Sequence, residues 1–495
     1  MEEKKKLEFY GGAWMSFLPF VIFLVLIVLT TFYFGSISDG ALWLPAFLAL
    51  IIAFFFAKNK RQYAETMISG MASKEAIIPV VCWLFAGVFS RILRESGLAA
   101  GVAGIAASAG VGGTLFTVIT FIASALFATA SGTGFGTIAA GMGVLYPAGL
   151  ALGGHPGLLA GAIVSGAAFG DNLAPVSDTT ICSATSQGVD VPGVVRSRLK
   201  YALAAGGLTI LGLVIAGLVL TGSGGGGEAP AYNPWTLLMF LPVAATIFVA
   251  VKSGDIIIAA TIGIVSGAAV AVAAGLMDFV QIDVADAVRP ALFTVSGEGL
   301  DRTVGGVLYT GLSSMIQVII LALLLFGCTS IMRAGGGDEK LLGVLGRIVR
   351  GPRGAEVVIS IMVILLSALM GLNAPAILAI GASFAAPLAK RYGISPYRTA
   401  NLLDAQSNTL CYCLPWTPAI VYTLGFAADS AHPLTALQVT PFVFYSFAML
   451  LVMAVTILLG IGRKDGLQKN GPKDRETIPA KADGALHAQT EKVES

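Results

Sequence analysis

Hydrophobic residues run through this chain in long blocks, near 13–35, 40–57, 76–93, 112–130, 156–169 and 203–221, and again near 235–252, 256–276, 306–332, 355–371, 397–413 and 437–461. Blocks of this length, with few charges inside them, predict membrane helices. Several are short or interrupted by Gly and Pro, which predicts broken or re-entrant segments as well as full spans. The first block follows Met1-Glu-Glu-Lys-Lys-Lys6, is too long for a signal-peptide core and has no small-residue cleavage site after it, so it reads as a retained span.

The fold class this predicts is an all-α polytopic membrane protein. Only 12% of the residues are charged, against about 25% in soluble proteins. Positive charge gathers at the N-terminus, at Lys58–Arg61, at Arg196–Lys200, at Arg333–Arg353 and after Arg463. The positive-inside rule places these stretches, and both termini, in the cytoplasm. The predicted divisions are a cytoplasmic N-terminus (1–12), a first membrane repeat (13–221), an extracytoplasmic Gly-rich linker (222–234), a second, inverted repeat (235–462) and a disordered cytoplasmic tail (463–495).

The repeat rests on the prolines. Pro147, Pro156 and Pro175 recur at Pro387, Pro396 and Pro415, and Gly87 and Ser90 at Gly327 and Ser330, all at an offset of 240 residues. Pro192 is matched by Pro433, one residue out of that register. A first half that starts inside and ends outside crosses an odd number of times, so the second copy enters from the other side.

Polar chemistry concentrates in Phe169-Gly-Asp-Asn-Leu-Ala-Pro-Val-Ser-Asp-Thr-Thr180. No Asp, Glu, Lys or Arg occurs from Gly97 to Gly170, and then Asp171 and Asp178 arrive together. An acid at mid-membrane depth costs about 2.5–3.5 kcal/mol on insertion scales, so it needs a partner or a task. Pro175 breaks the helix between the two acids, leaving carbonyls and side-chain oxygens to face a polar cavity. Under the repeat, segments 131–137, 170–180, 371–377 and about 404–418 converge near the membrane centre. The candidate ion-binding residues are therefore Thr133, Asp171, Asn172, Ser177, Asp178 and Thr179 from the first half, and Asn373, Asp404, Asn408 and Thr417 from the second. Asp171 and Asp178 are the candidate sodium carboxylates, because a hard cation prefers oxygen ligands. Burial favours the protonated form of a carboxyl group and an adjacent sodium ion favours the ionised form, so one group can carry either.

Each residue also has a plainer reading. Asp171 and Asp178 can cap helices, Asp404 can sit at a helix interface, and Ser131, Thr133 and Thr137 can serve tight packing. His155 reads as a loop residue, and Arg91, Arg94 and Glu95 as an interface at the end of a span. The five cysteines fall in or beside apolar stretches, Cys411-Tyr-Cys413 lacks metal-ligand spacing, and there are only three histidines. No cofactor is expected beyond sodium as the transported or coupling ion. A net charge of +2 suggests no nucleic-acid partner.

The motif Gly170-Asp-Asn-Leu-Ala-Pro-Val-Ser-Asp-Thr-Thr180 resembles the signature Gly-Asp-Lys/Asn-Leu-Ser-Pro-Leu-Ser-Asp-Thr-Thr of the NhaC-type sodium/proton antiporters, with Asn172 and Ala174 where other members often have Lys and Ser. The resemblance implies cation/proton antiport at the plasma membrane. By wider kinship with the ion-transporter superfamily it also implies a scaffold and a transport domain that moves as an elevator. Ser407-Asn-Thr409 is similar to a short motif of divalent-anion/sodium symporters in that superfamily. The same family is similar to exchangers of malate and lactate, so a small organic solute, a carboxylate or an amino acid, stands as the alternative substrate. Partners are then the lipid bilayer, sodium, protons and such a solute. Transporters of this plan are often homodimers, but no stretch identifies the surface. An intramembrane aspartyl protease is disfavoured: Ala168-Phe-Gly-Asp171 lacks the first Gly of Gly-x-Gly-Asp and no Tyr-Asp partner exists. A passive channel fits the broken-helix repeat less well than alternating access does.

Overall fold

The computed structural model describes residues 6–34, 43–175, 177–221, 232–253, 255–282, 289–297, 301–346, 349–428, 430 and 432–464. Most of the 222–234 linker, and all but the first two residues of the 463–495 tail, lie outside them.

The first half runs α1 (Leu18–Phe34), α2 (Trp43–Phe56), α3 (Lys60–Met71), α4 (Lys74–Glu95), α5 (Leu98–Ser108), α6 (Gly113–Ser131), α7 (Gly134–Ala140), α8 (Tyr146–Ala151), α9 (Pro156–Leu173), α10 (Asp178–Gln187) and α11 (Val191–Thr221). The second continues with α12 (Phe240–Ser253), α13 (Ile256–Ala273), β1 (Asp278–Ile282), β2 (Ala291–Ser296), β3 (Thr303–Gly305), α14 (Val307–Ser313), α15 (Ile316–Ala334) and α16 (Gly337–Gly346). It closes with α17 (Gly351–Met370), α18 (Asn373–Ile380), α19 (Ala386–Arg391), α20 (Pro396–Ser407), α21 (Leu410–Cys413), α22 (Pro418–Ala428), α23 (Ala436–Val439) and α24 (Phe444–Leu459).

Among the described residues seven helices are long and apolar enough to cross a membrane, or eight if the bent 436–459 pair counts as one span. The protein is a helical, multi-pass membrane protein. One small addition was not legible in the sequence: β1, parallel to β2, and β2, antiparallel to β3, form a three-stranded sheet between α13 and α14.

The elements recur at the 240-residue offset that the prolines mark. A π turn at Gly141–Leu145 reappears at Gly381–Ala385, and α8 at α19. Helix α9 reappears as α20 plus α21, and Asp178 and Pro418 begin the equivalent helices α10 and α22. Each half contains a hairpin that enters and leaves on one side. In the first, a Cβ on Gly113 would lie 2.5 Å from the Gly154 nitrogen, so the start of α6 and the end of α8 are neighbours. In the second, the Tyr392 hydroxyl donates to the Val349 carbonyl (3.5 Å), joining the end of α19 to the start of α17. The tips turn on Gly132 (φ 70°) and Gly371 (φ 68°), a left-handed conformation that glycine adopts without steric cost. The halves also exchange helices. On α3, a Cβ on Gly70 would come within 2.3 Å of Ser330 Cβ on α15, while one on Gly311 of α14 would meet Val88 Cα of α4 at 2.7 Å.

Burial divides the helices by role. Helix α9 is buried along almost its whole length, and Gly170 lets it touch α6, since a Cβ there would lie 2.2 Å from Ala128 Cβ. By contrast α11 exposes Leu203, Leu211, Ile215, Leu218 and Val219, the surface expected of a helix facing lipid.

Candidate cation site

Four chain breaks meet at one cavity of about 600 Å³. Its lining takes Gly132, Thr133 and Gly134 from the first hairpin tip and Leu372, Asn373 and Ala374 from the second. Asp171, Asp178 and Thr179 come from the break between α9 and α10, and Cys411 and Tyr412 from α21. Trp83 and Phe135 supply an aromatic wall, and the exposed Lys74 and Arg333 also line the cavity. The four segments expected to converge do so.

Asp171 is the buried acid of the cavity. It sits near the C-terminal end of α9 and is 5% exposed. Ser177 Oγ donates to its Oδ1 (2.7 Å), and Tyr412 Oη (3.0 Å) and Asn373 Nδ2 (3.5 Å) donate to Oδ2. Two of these donors come from the other half of the chain. Helix capping is not the role of Asp171, because it lies within α9 and well after the helix start. Asp178, in contrast, opens α10 and is exposed; its Oδ1 accepts from the Thr179 amide (2.8 Å). A carboxylate in the first turn of a helix is favoured by the helix dipole. Ser177 Oγ also bonds Thr179 Oγ1 (2.9 Å), so hydroxyls link the segment that carries the two acids.

The remaining candidates divide. Asn373 is 8% exposed and also donates to Asn408 Oδ1, and Asn408 donates to Asp404 Oδ1 (2.9 Å). Thr133 lines the cavity, but its hydroxyl caps α7 by accepting from Gly136 (3.2 Å). Asn172 points away from the cavity and donates to Tyr445 Oη (3.3 Å). Thr417 bonds the Leu414 carbonyl (2.7 Å) and is not among the lining residues. Asp404 is fully buried and ion-paired with Arg198 at 2.5 Å rather than open to the cavity. His155 caps α9 by accepting from Leu158 (3.3 Å), and Arg91 pairs with Glu95 (3.1 Å).

Arg198 escaped the sequence reading because it lies inside the basic run Arg196–Lys200. Its signal is register. Val194, Arg198, Tyr201, Ala202 and Ala205 share the buried stripe of α11, whereas Arg196 and Lys200 are exposed. Among the described residues no cluster of three or more His, Cys, Asp or Glu is arranged to hold a metal ion. Around the Asp171 carboxylate stand the Ser177 and Tyr412 hydroxyls, oxygens of the kind a hard cation takes, whereas Asn373 presents its amide nitrogen.

The profile of the Na+/H+ antiporter family matches residues 9–218 and 224–457. The chain belongs to that family. It is a family of transporters and not of enzymes, and both acids of the cavity fall within the matched residues. Among curated relatives, the malate-2H(+)/Na(+)-lactate antiporter of Bacillus subtilis (strain 168) is 26% identical over 209 residues, covering 41% of this chain and 42% of the relative. The Na(+)/H(+) antiporter NhaC of Alkalihalophilus pseudofirmus is 27% identical over 178 residues, 35% of this chain and 38% of the relative. The matches thus span about two fifths of the curated relatives. Among solved structures, the YdaH transporter of Alcanivorax borkumensis aligns with TM-score 0.40 at 16% identity, covering 82% of this chain and 89% of that one. MtrF of Neisseria gonorrhoeae aligns with TM-score 0.38 at 12% identity, covering 88% and 98%. At these scores neither likeness bears on any residue.

Proposed function

We propose that this member of the Na+/H+ antiporter family exchanges sodium for protons across the plasma membrane by alternating access, with Asp171 and Asp178 carrying the exchanged ions. The observation that carries the reading is the pairing of a buried acid, Asp171, with an exposed one, Asp178, in the same cavity. Asp171 is held by three donors and almost wholly buried. Such a carboxyl group must be neutralised to cross the membrane interior, and either a proton or a sodium ion does so. Asp178 meets the incoming ion at the open side, and Ser177 and Thr179 offer hydroxyl oxygens along the way.

Lys74 and Arg333 at the cavity mouth lie on the side that positive charge assigns to the cytoplasm. The cavity is then inward-open, with both termini cytoplasmic. The two hairpins and the broken helices form the moving transport domain of an elevator, and sodium and protons are its partners together with the bilayer.

Reconstitution into liposomes loaded with a pH dye tests this. Sodium-driven proton flux is expected in the wild type and is lost in Asp171→Asn and Asp178→Asn. Unaltered flux in both folded variants refutes the site.

A second reading draws on the cavity itself. A volume of about 600 Å³ falls in the range of small-molecule pockets and far exceeds the need of a bare ion. With Lys74 and Arg333 at the mouth and Trp83 and Phe135 on the wall, it suits a small organic anion moved alongside sodium. The relative in Bacillus subtilis, a malate/lactate antiporter by name, supports that class. Thermal stabilisation by a carboxylate or an amino acid, beyond that of sodium and pH, identifies this case.

A further inference from the structure

We propose that Arg198 is a tethered cation: it permanently fills a second, all-oxygen acid site centred on Asp404, and so confines the mobile ion to the Asp171 side. The guanidinium and the Asp404 carboxylate are both fully buried, with Nη1 2.5 Å from Oδ2. Nη1 also donates to the Asn172 carbonyl (2.5 Å) and to Thr180 Oγ1 (3.1 Å). Nε donates to Asn401 Oδ1 (3.1 Å), and Nη2 reaches Ser183 Oγ (3.5 Å).

Every one of these partners is an oxygen: one carboxylate, one backbone carbonyl, one amide and two hydroxyls. Without the guanidinium this is the ligand chemistry of a hard cation. The oxygens come from the C-terminal end of α9, from α10 and from α20, so the site joins the broken elements of both halves. The Asn172 carbonyl lies in the last turn of α9, where carbonyls lack intrahelical partners. Arg198 supplies that partner and the countercharge together.

The contrast with Asp171 defines the role. Among the described residues Asp171 receives hydrogen bonds from neutral groups only, and it opens onto the cavity. Asp404 receives a fixed positive charge and is shut away from it. Asn408 and Asn373 bridge the two acids. Arg198 is thus a positioning residue that sets how many cations the transporter takes up. Its removal, not its retention, creates a second sodium site.

The test uses the full-length purified protein and reads melting temperature in sodium against choline at matched ionic strength, for wild type, Arg198→Ala, Asp404→Asn and the double substitution. Arg198→Ala is expected to melt below wild type in choline and to recover most of that loss in sodium, so that its sodium-minus-choline shift exceeds the wild-type shift. The double substitution lacks the second acid, and its sodium shift should return to the wild-type size. A purely structural arginine predicts lower melting temperatures with no change in the sodium shift. That outcome overturns the proposal, and so does an Arg198→Ala protein that fails to fold in either salt while the double substitution folds. If all Arg198 variants fail to fold even in sodium, a mobile cation does not replace the guanidinium and the proposal also falls.

The Asp404 site is the second only where Asp171 is the first, as the proposed function has it. For that reason the Arg198→Ala comparison is repeated with Asp171→Asn in the background. Persistence of the extra sodium shift there supports the Asp404 site even if Asp171 proves not to bind sodium; its disappearance counts against it.

Discussion

Gly134 offers a sharp test of how the two halves share one carboxylate. It begins α7 beside the hairpin tip, and a Cβ added there would lie 2.0 Å from Tyr412 Oη. Ordinary contact begins near 3.4 Å, so the hydroxyl must retreat by about 1.4 Å. That movement breaks its 3.0 Å bond to Asp171 Oδ2. Alanine gains up to about 1 kcal/mol of helix propensity over glycine. Against this stand about 1–3 kcal/mol for overpacking and about 1.5–3 kcal/mol for a hydrogen bond to a charged group. Gly134→Ala should therefore destabilise by about 1.5–5 kcal/mol. The lost donor alone should weaken sodium dependence of flux about tenfold, which is what roughly 1.4 kcal/mol buys in a binding constant.

Tyr412→Phe separates the clash from the bond. It removes the hydroxyl without crowding Gly134, and the next ring atom, Cζ, lies 3.0 Å from the built Cβ, tight but able to give. In the double substitution the alanine meets no hydroxyl, so its cost should fall short of the summed singles by about 1 kcal/mol or more, the coupling expected of residues in contact. The assay is thermal unfolding together with the sodium concentration for half-maximal proton flux. Wild-type behaviour of Gly134→Ala, or strict additivity in the cycle, would refute the placement of Tyr412 between the first hairpin tip and Asp171.

Two further outcomes concern charges away from the cavity. Glu356 is fully buried between Arg398 Nε (2.9 Å) and Arg463 Nη2 (2.5 Å); Glu356→Gln leaves Arg398 buried without its counterion and should cost about 3–5 kcal/mol, while Arg463→Gln, at a partly exposed partner, should cost clearly less in the same thermal melt. Asp190, between α10 and α11, accepts from the Tyr397 hydroxyl and from the Gly193 amide (2.7 Å), and these bonds hold its carboxyl below the usual range. A lowered folded-state value means that the stabilisation is complete at neutral pH and drains away as pH falls below about 4. Asp190→Asn should thus melt below wild type at pH 7, with the gap closing in acid; a gap that does not change with pH would count against the bond.

Much of this protein is written locally. Apolar blocks without charge have one stable form in lipid, because only a helix satisfies its own backbone there, and so the membrane class follows from pattern alone. Prolines and glycines act on their own neighbours, so Pro175, Gly132 and Gly371 mark the breaks wherever the chain lies in space. Asp171 and Asp178 stand out in the same way, as acids in a stretch that otherwise carries no charge. Tertiary structure decided which atoms meet. Tyr412 and Asn373 reach Asp171 from over 200 residues away. Arg198 claims Asp404 from within a run of basic residues that looks like surface charge. The exchange of α3 and α14 between halves, and the small sheet at 278–305, likewise depend on contacts between distant segments. A sequence read along its length registers what each residue does to its own backbone and to the solvent around it; the partner that neutralises a buried charge is fixed only when distant helices pack.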